Sequence, residues 1–167
     1  TPTEIKDLKV RVMENKLYID LFNGLGAKAT PMPYGELYQS LMTGLVDAGE
    51  NDSSGYRNMK FYEPSPVFTL TGHTFLYKPV IANPDMMAQM NDKQKALFFA
   101  ELKKATKFQR DLFSTNFESD LEWLKKNAGV KVYKADREAY RAKLQPVIAK
   151  YAKKYGEALV QSIMDAK

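Results

Sequence analysis

Hydrophobic positions change period more than once along the chain. Leu8, Val10 and Val12 alternate with Lys9 and Arg11, the two-residue repeat of a strand. Glu14-Asn15 breaks the alternation, and Leu17, Ile19, Leu21, Phe22 and Leu25 fit a short helix ended by Gly24 and Gly26. Residues 29–33 read as extended, because proline biases the residue before it away from helix. Leu37, Leu41, Met42 and Leu45 predict a helix over 34–46. A short connector or strand at 47–50 leads into Asn51-Asp52-Ser53-Ser54-Gly55, a loop with several possible helix caps. A weak helix over 56–63 stops before Pro64. β-Branched and aromatic residues at 67–71, 74–77 and 79–82 predict one or two strands. This β-α-β-α-β order argues for an α/β layer with mainly parallel strands.

The second half follows a different pattern. From Asn91-Asp92 to about Asn127 there is neither Gly nor Pro, and Phe98, Leu102, Ala105, Leu112, Phe117, Leu121 and Leu124 hold a helical period. A helix of roughly 35 residues is about 50 Å long. That exceeds the width of a small domain, so the helix must kink or pack against more than one body. A strand at 130–133 follows Gly129, then a helix over 136–155 kinked at Pro146, and amphipathic turns carrying Leu159, Val160, Ile163 and Met164.

Composition narrows the class. With 167 residues, 44% hydrophobic and 27% charged, the chain is not disordered and fits one domain or two small lobes. Zero cysteines remove disulfides, thiol catalysis and Cys-ligated metal, and suit either a cytosol or a periplasm. No apolar run approaches the roughly 18 residues of a membrane helix, and the polar opening Thr1-Pro2-Thr3-Glu4 does not read as a signal peptide, which a mature or trimmed chain would also lack. The net charge of +5 is uneven: residues 1–83 carry 8 Lys+Arg and 9 Asp+Glu, residues 84–167 carry 17 and 11. The surplus falls on helices, where solvated faces account for it. There is no run of five basic residues and no nucleic-acid motif, so no nucleic-acid partner is expected.

Enzymatic readings find little support. His73 is the single histidine, so a His-His metal site and an imidazole relay are excluded, and a structural hydrogen-bonding role is favoured. Glu14, Glu36, Asp47, Glu50 and Asp52 show no spacing that pairs two carboxylates for acid-base work. Gly24-x-Gly26 lacks the third glycine and the context of a nucleotide loop.

Arg11 is the most informative charge. It stands near the carboxyl end of a strand, where the mouth of an α/β sheet opens, and a guanidinium there is placed to grip a carboxylate with two parallel hydrogen bonds. A strand arginine on a solvated face is the alternative. Asn51 follows a short strand and either binds a ligand oxygen or caps the next helix. Tyr34, after two prolines, either walls a pocket or joins the core.

Four phrases in register resemble the solute-binding proteins of tripartite ATP-independent periplasmic (TRAP) transporters. They are residues 8–18 (LKVRVMENKLY), Gly26-Ala27 with Thr30-Pro31-Met32-Pro33-Tyr34-Gly35-Glu36-Leu37-Tyr38, and Leu41-x-x-Gly44-x-x-Asp47-Ala48-Gly49-Glu50-Asn51. The last is Lys60-Phe61-Tyr62-Glu63 with Leu70-Thr71-Gly72-His73. The resemblance covers essentially the whole chain. It implies an α/β, Venus-flytrap fold of two lobes with one long helix crossing both.

Residues 1–76 and 117–140 match the second, ligand-binding lobe. Residues 77–116 match a hinge strand and helix that return to the first lobe, and 141–167 are C-terminal helices. The chain thus reads as a fragment whose first lobe is absent. The resemblance further implies a non-enzymatic periplasmic protein, without cofactor or metal, that captures an organic acid and delivers it to membrane permease subunits. By that likeness Arg11 pairs with the solute carboxylate, Asn51 assists, Tyr34 lines the pocket and Glu14 touches the rest of the solute. Gly49 and Asp52 depart from the family's usual Gln and Pro on either side of Glu50-Asn51. The competing expectation is a non-binding fragment that buries its exposed face in a swapped or symmetric homo-oligomer.

Overall fold

The computed structural model describes residues 4–166; Thr1, Pro2, Thr3 and Lys167 lie outside the described residues. Strands β1 (Lys9–Val12), β2 (Lys28–Pro31) and β3 (Ala48–Gly49) form a parallel sheet in the order β2-β1-β3. Helix α1 (Lys16–Gly24) joins β1 to β2 and starts where the Asn15 side chain accepts from the Leu17 N–H. Between β2 and β3 the chain makes a 3-10 turn, Tyr34–Glu36, and then α2 (Leu37–Met42). The helix expected to reach residue 46 is shorter because Gly44 turns left-handed at φ 70°. Helix α3 (Ser53–Asn58) replaces the one expected at 56–63. It starts earlier because Asp52 caps it, accepting from the Gly55 N–H at 2.6 Å.

Strand β4 (Val67–Leu70) pairs in parallel with β5 (Lys131–Lys134) in a second sheet. The strands expected at 74–77 and 79–82 do not form. That stretch has no ladder partner among the described residues, and Phe75, Tyr77 and Ile81 are 79%, 86% and 87% exposed. A β-prone sequence becomes a strand only when a neighbour pairs with it and covers it. Helix α4 (Pro84–Ala88) and the long α5 (Asp92–Ala128) follow. The predicted helix over 136–155 divides at Leu144 into α6 (Arg137–Lys143) and α7 (Gln145–Tyr155). Pro146, which lacks an N–H, sits in the first turn of α7 rather than inside a helix. Helix α8 (Glu157–Asp165) ends the described chain.

Two cores result. Val10, Val12, Tyr18, Phe22 and Ala27 pack β1 against α1. Met32, Leu37, Val46, Tyr56, Phe61, Phe68, Leu121, Leu124 and Val130 form the larger one. Helix α5 enters it only through its last turns, with Asp120, Leu121 and Leu124 buried. Between Phe68 and Asp120 no residue is fully buried. The outer part of α5 is sustained locally, by the reciprocal Asn91–Gln94 capping box and by ion pairs such as Lys107–Asp111.

Asp20 fastens α1 to α7. Its carboxylate accepts from Lys150 at 2.6 Å and from the Tyr151 hydroxyl at 2.9 Å. The hydrogen bond from Lys150, then those from Tyr151 and Lys16, hold its pKa down at about 2 from an ordinary 3.8. A carboxyl depressed in the folded state adds stability that is full above the ordinary value and is lost as pH falls through the depressed one. Acid titration of folding should therefore be flatter between those values in Asp20→Asn than in the parent chain. In urea unfolding of the 167-residue chain, Leu124→Ala is expected to cost about 3 kcal/mol. Leu97→Ala, on the exposed part of α5, should cost less than about 0.5 kcal/mol.

Candidate functional site

In the order β2-β1-β3 the chain goes from β1 to β2 on one side and then crosses back over β1 to β3 on the other, so the segments after β2 and β3 flank the carboxyl end of β1, where an α/β sheet opens. Three chain segments converge there: Arg11 on β1, Met32 and Tyr34 after β2, and Glu50 and Asn51 after β3. Arg11 is 3% exposed. It is buried although its strand neighbours Val10 and Val12 are buried too, because a central parallel strand is covered on both faces.

The guanidinium donates from Nε at 3.1 Å and from Nη2 at 2.9 Å to the Met32 carbonyl oxygen. Its carbon lies 5.5 Å from the centroid of the Tyr34 ring. Nη1 stands 3.7 Å from Glu50 Oε1, an ion-pair distance beyond hydrogen-bond length. Two of five N–H groups thus fix the side chain, and the Nη1 N–H groups make no hydrogen bond among the described residues.

Asn51 and Tyr34 belong to the same cluster. Asn51 Nδ2 donates to the Tyr34 hydroxyl at 2.8 Å, while Asn51 Oδ1 accepts from the Asp52 N–H at 2.9 Å. The Tyr34 ring packs edge-on against buried Phe61, with centroids 5.7 Å apart. Glu14 is exposed on the turn after β1, and no hydrogen bond or ion pair ties it to Arg11, Tyr34 or Asn51.

Three participants were hidden from the sequence. Met32 acts through a backbone oxygen, which no residue type announces. Glu50 lies 39 positions from Arg11, and only its place beside Asn51 hints at it. Its other oxygen is 3.8 Å from His73 Nε2, a buried atom with no hydrogen-bond partner among the described residues, while His73 Nδ1 pairs with the Thr71 hydroxyl at 2.7 Å. Gly55 makes room for Asn51, since a Cβ there would lie 2.6 Å from Oδ1 and 2.9 Å from Nδ2.

Residues 1–154 match the DctP family, bacterial extracellular solute-binding proteins of family 7. The chain belongs to that family. A solute-binding protein of Chromohalobacter salexigens is 34% identical across 100% of this chain and 50% of its own length. A TRAP periplasmic solute-binding protein from Sulfitobacter sp. NAS-14.1, with bound β-D-galacturonate, superposes with a TM-score of 0.91 at 29% identity. It is matched over 99% of this chain and 56% of that one. A counterpart from Polaromonas sp. JS666, bound to D-erythronate, gives 0.88 at 32% identity over 99% and 55%. The chain thus spans about half the length of the relatives it matches. The α/β, flytrap-type fold read from the sequence agrees with these neighbours.

Because Gly55 holds open the space for the Asn51 amide, Gly55→Ala should displace that side chain. In the amide proton spectrum of the chain, the Asn51 side-chain resonances should move in Gly55→Ala, while those of Asn23, beyond the cluster, stay in place.

Proposed function

We propose that this chain forms one wall of the cleft of a periplasmic solute-binding protein, which captures a carboxylate-bearing solute and passes it to a membrane permease without chemical change. Buried Arg11, whose Nη1 makes no hydrogen bond among the described residues and only a 3.7 Å ion pair with Glu50, carries the reading. Galacturonate and erythronate, the solutes of two structural neighbours, are both carboxylates with an oxygen on the adjoining carbon, and we assign the same class here. Tyr34 packs beside the carboxylate, Asn51 assists, and Glu14 faces the remainder of the solute.

Residues 1–76 and 117–140 constitute the ligand-binding lobe, and 141–167 its C-terminal helices. Residues 77–116 reach toward a second lobe. The absence of any fully buried residue between Phe68 and Asp120, in a chain half the length of its relatives, supports that division.

Removing Arg11 leaves the solute carboxylate desolvated and unpaired, so Arg11→Ala should weaken binding by about 3–5 kcal/mol. Isothermal titration of the full-length protein with D-galacturonate and D-erythronate measures this, and an affinity that Arg11→Ala leaves unchanged refutes the assignment.

A second reading rests on the exposed Phe75, Tyr77, Ile81, Phe99 and Phe108. The isolated chain would cover them by pairing with a second copy. Light scattering separates the two, since a monomer that retains solute affinity rules the pairing out.

A further inference from the structure

We propose that the Tyr34 hydroxyl is a specificity-determining donor, giving its proton to an oxygen on the carbon adjoining the solute carboxylate. The proposal rests on the reading of Arg11 as the carboxylate anchor. Its basis is the direction of the hydrogen bonds around Asn51. The Asp52 N–H points at Oδ1, which fixes which end of the Asn51 amide is oxygen. The NH2 end therefore faces Tyr34 and donates to its hydroxyl oxygen at 2.8 Å.

Accepting that bond orients the phenol and leaves its own proton without an acceptor among the described residues. Tyr34 is 40% exposed, so the proton is accessible from the cleft. The carboxylate nearest Arg11, that of Glu50, is placed between Arg11 and His73.

The open positions of the cluster are then donors: Arg11 Nη1, the Tyr34 O–H and the second Asn51 N–H. Such an array matches adjacent acceptors on the solute. A carboxylate whose neighbouring carbon bears a hydroxyl or ring oxygen presents them, and an acid lacking that oxygen leaves the Tyr34 proton unpaired. Discrimination by a single missing acceptor is the kind that hydrogen-bonding sites achieve and apolar walls do not.

Tyr34→Phe keeps the ring against Phe61 and Arg11 and removes only the hydroxyl. The test is isothermal titration of the full-length protein with D-erythronate and its 2-deoxy counterpart, 3,4-dihydroxybutanoate, and with D-galactonate and 2-deoxy-D-galactonate. The parent protein should prefer each 2-hydroxy acid by about tenfold, the ordinary worth of one hydrogen bond. In Tyr34→Phe the 2-hydroxy acids should weaken by about tenfold and the 2-deoxy acids should not, so the preference collapses. Equal weakening of both members of a pair, or an unchanged preference, overturns the role of the hydroxyl. If Arg11→Ala meanwhile abolishes binding of every acid, the carboxylate reading survives that result. If Arg11→Ala changes nothing, or no acid of the set binds the parent protein, both fall together.

Discussion

Arg11 is withdrawn from water in the middle of a parallel sheet, and a desolvated guanidinium costs several kcal/mol unless its charge and its protons are answered. Met32 supplies a carbonyl, Glu50 a counter-charge and Tyr34 the face of a ring. Each comes from a segment that leaves the carboxyl end of a strand, so the strand order that creates the crevice also stocks it. The compensation is incomplete at Nη1, where the ion pair is too long to be a hydrogen bond. A side chain held on one edge and unsatisfied on the other is pre-organised, so little ordering entropy remains to oppose a ligand.

The support reaches far outside the crevice. Asp120, buried near the end of α5, accepts from the Ser54 hydroxyl and from Arg57 Nη1 at 2.7 Å, and the Arg57 guanidinium lies 4.2 Å from the centroid of Trp123. The Ser53 hydroxyl donates to the Phe117 carbonyl. These contacts press α3 onto α5, and the start of α3 in turn sets Asp52 and Asn51. The long helix thereby holds the asparagine whose amide orients Tyr34.

Local pattern made much of this legible. Strand alternation at residues 8–12, proline before the turn at 34, and the Gly- and Pro-free run of α5 are consequences of backbone sterics and packing period, which a sequence displays directly. The burial of Arg11 was ambiguous from alternation alone, because a strand covered on both faces carries no polar side to read. The exposed stretch at 74–82 misled for the opposite reason: its residues favour a ladder, but pairing is supplied by a neighbour and not by propensity. Glu50 and the Met32 carbonyl are joined to Arg11 only by topology. A sheet order that sets β1 between β2 and β3 has no local signature.

Helix α5 also has a mechanical side. It is gripped at Asp120, Leu121 and Leu124, and its first residue, Asp92, lies 28 positions earlier. At the rise of an α-helix that is a rod of about 42 Å. Tilting it by about five degrees at the gripped end carries the far end through about 4 Å. The same grip bears on α3, so the end of this rod and the start of the helix that follows Asn51 share one set of contacts.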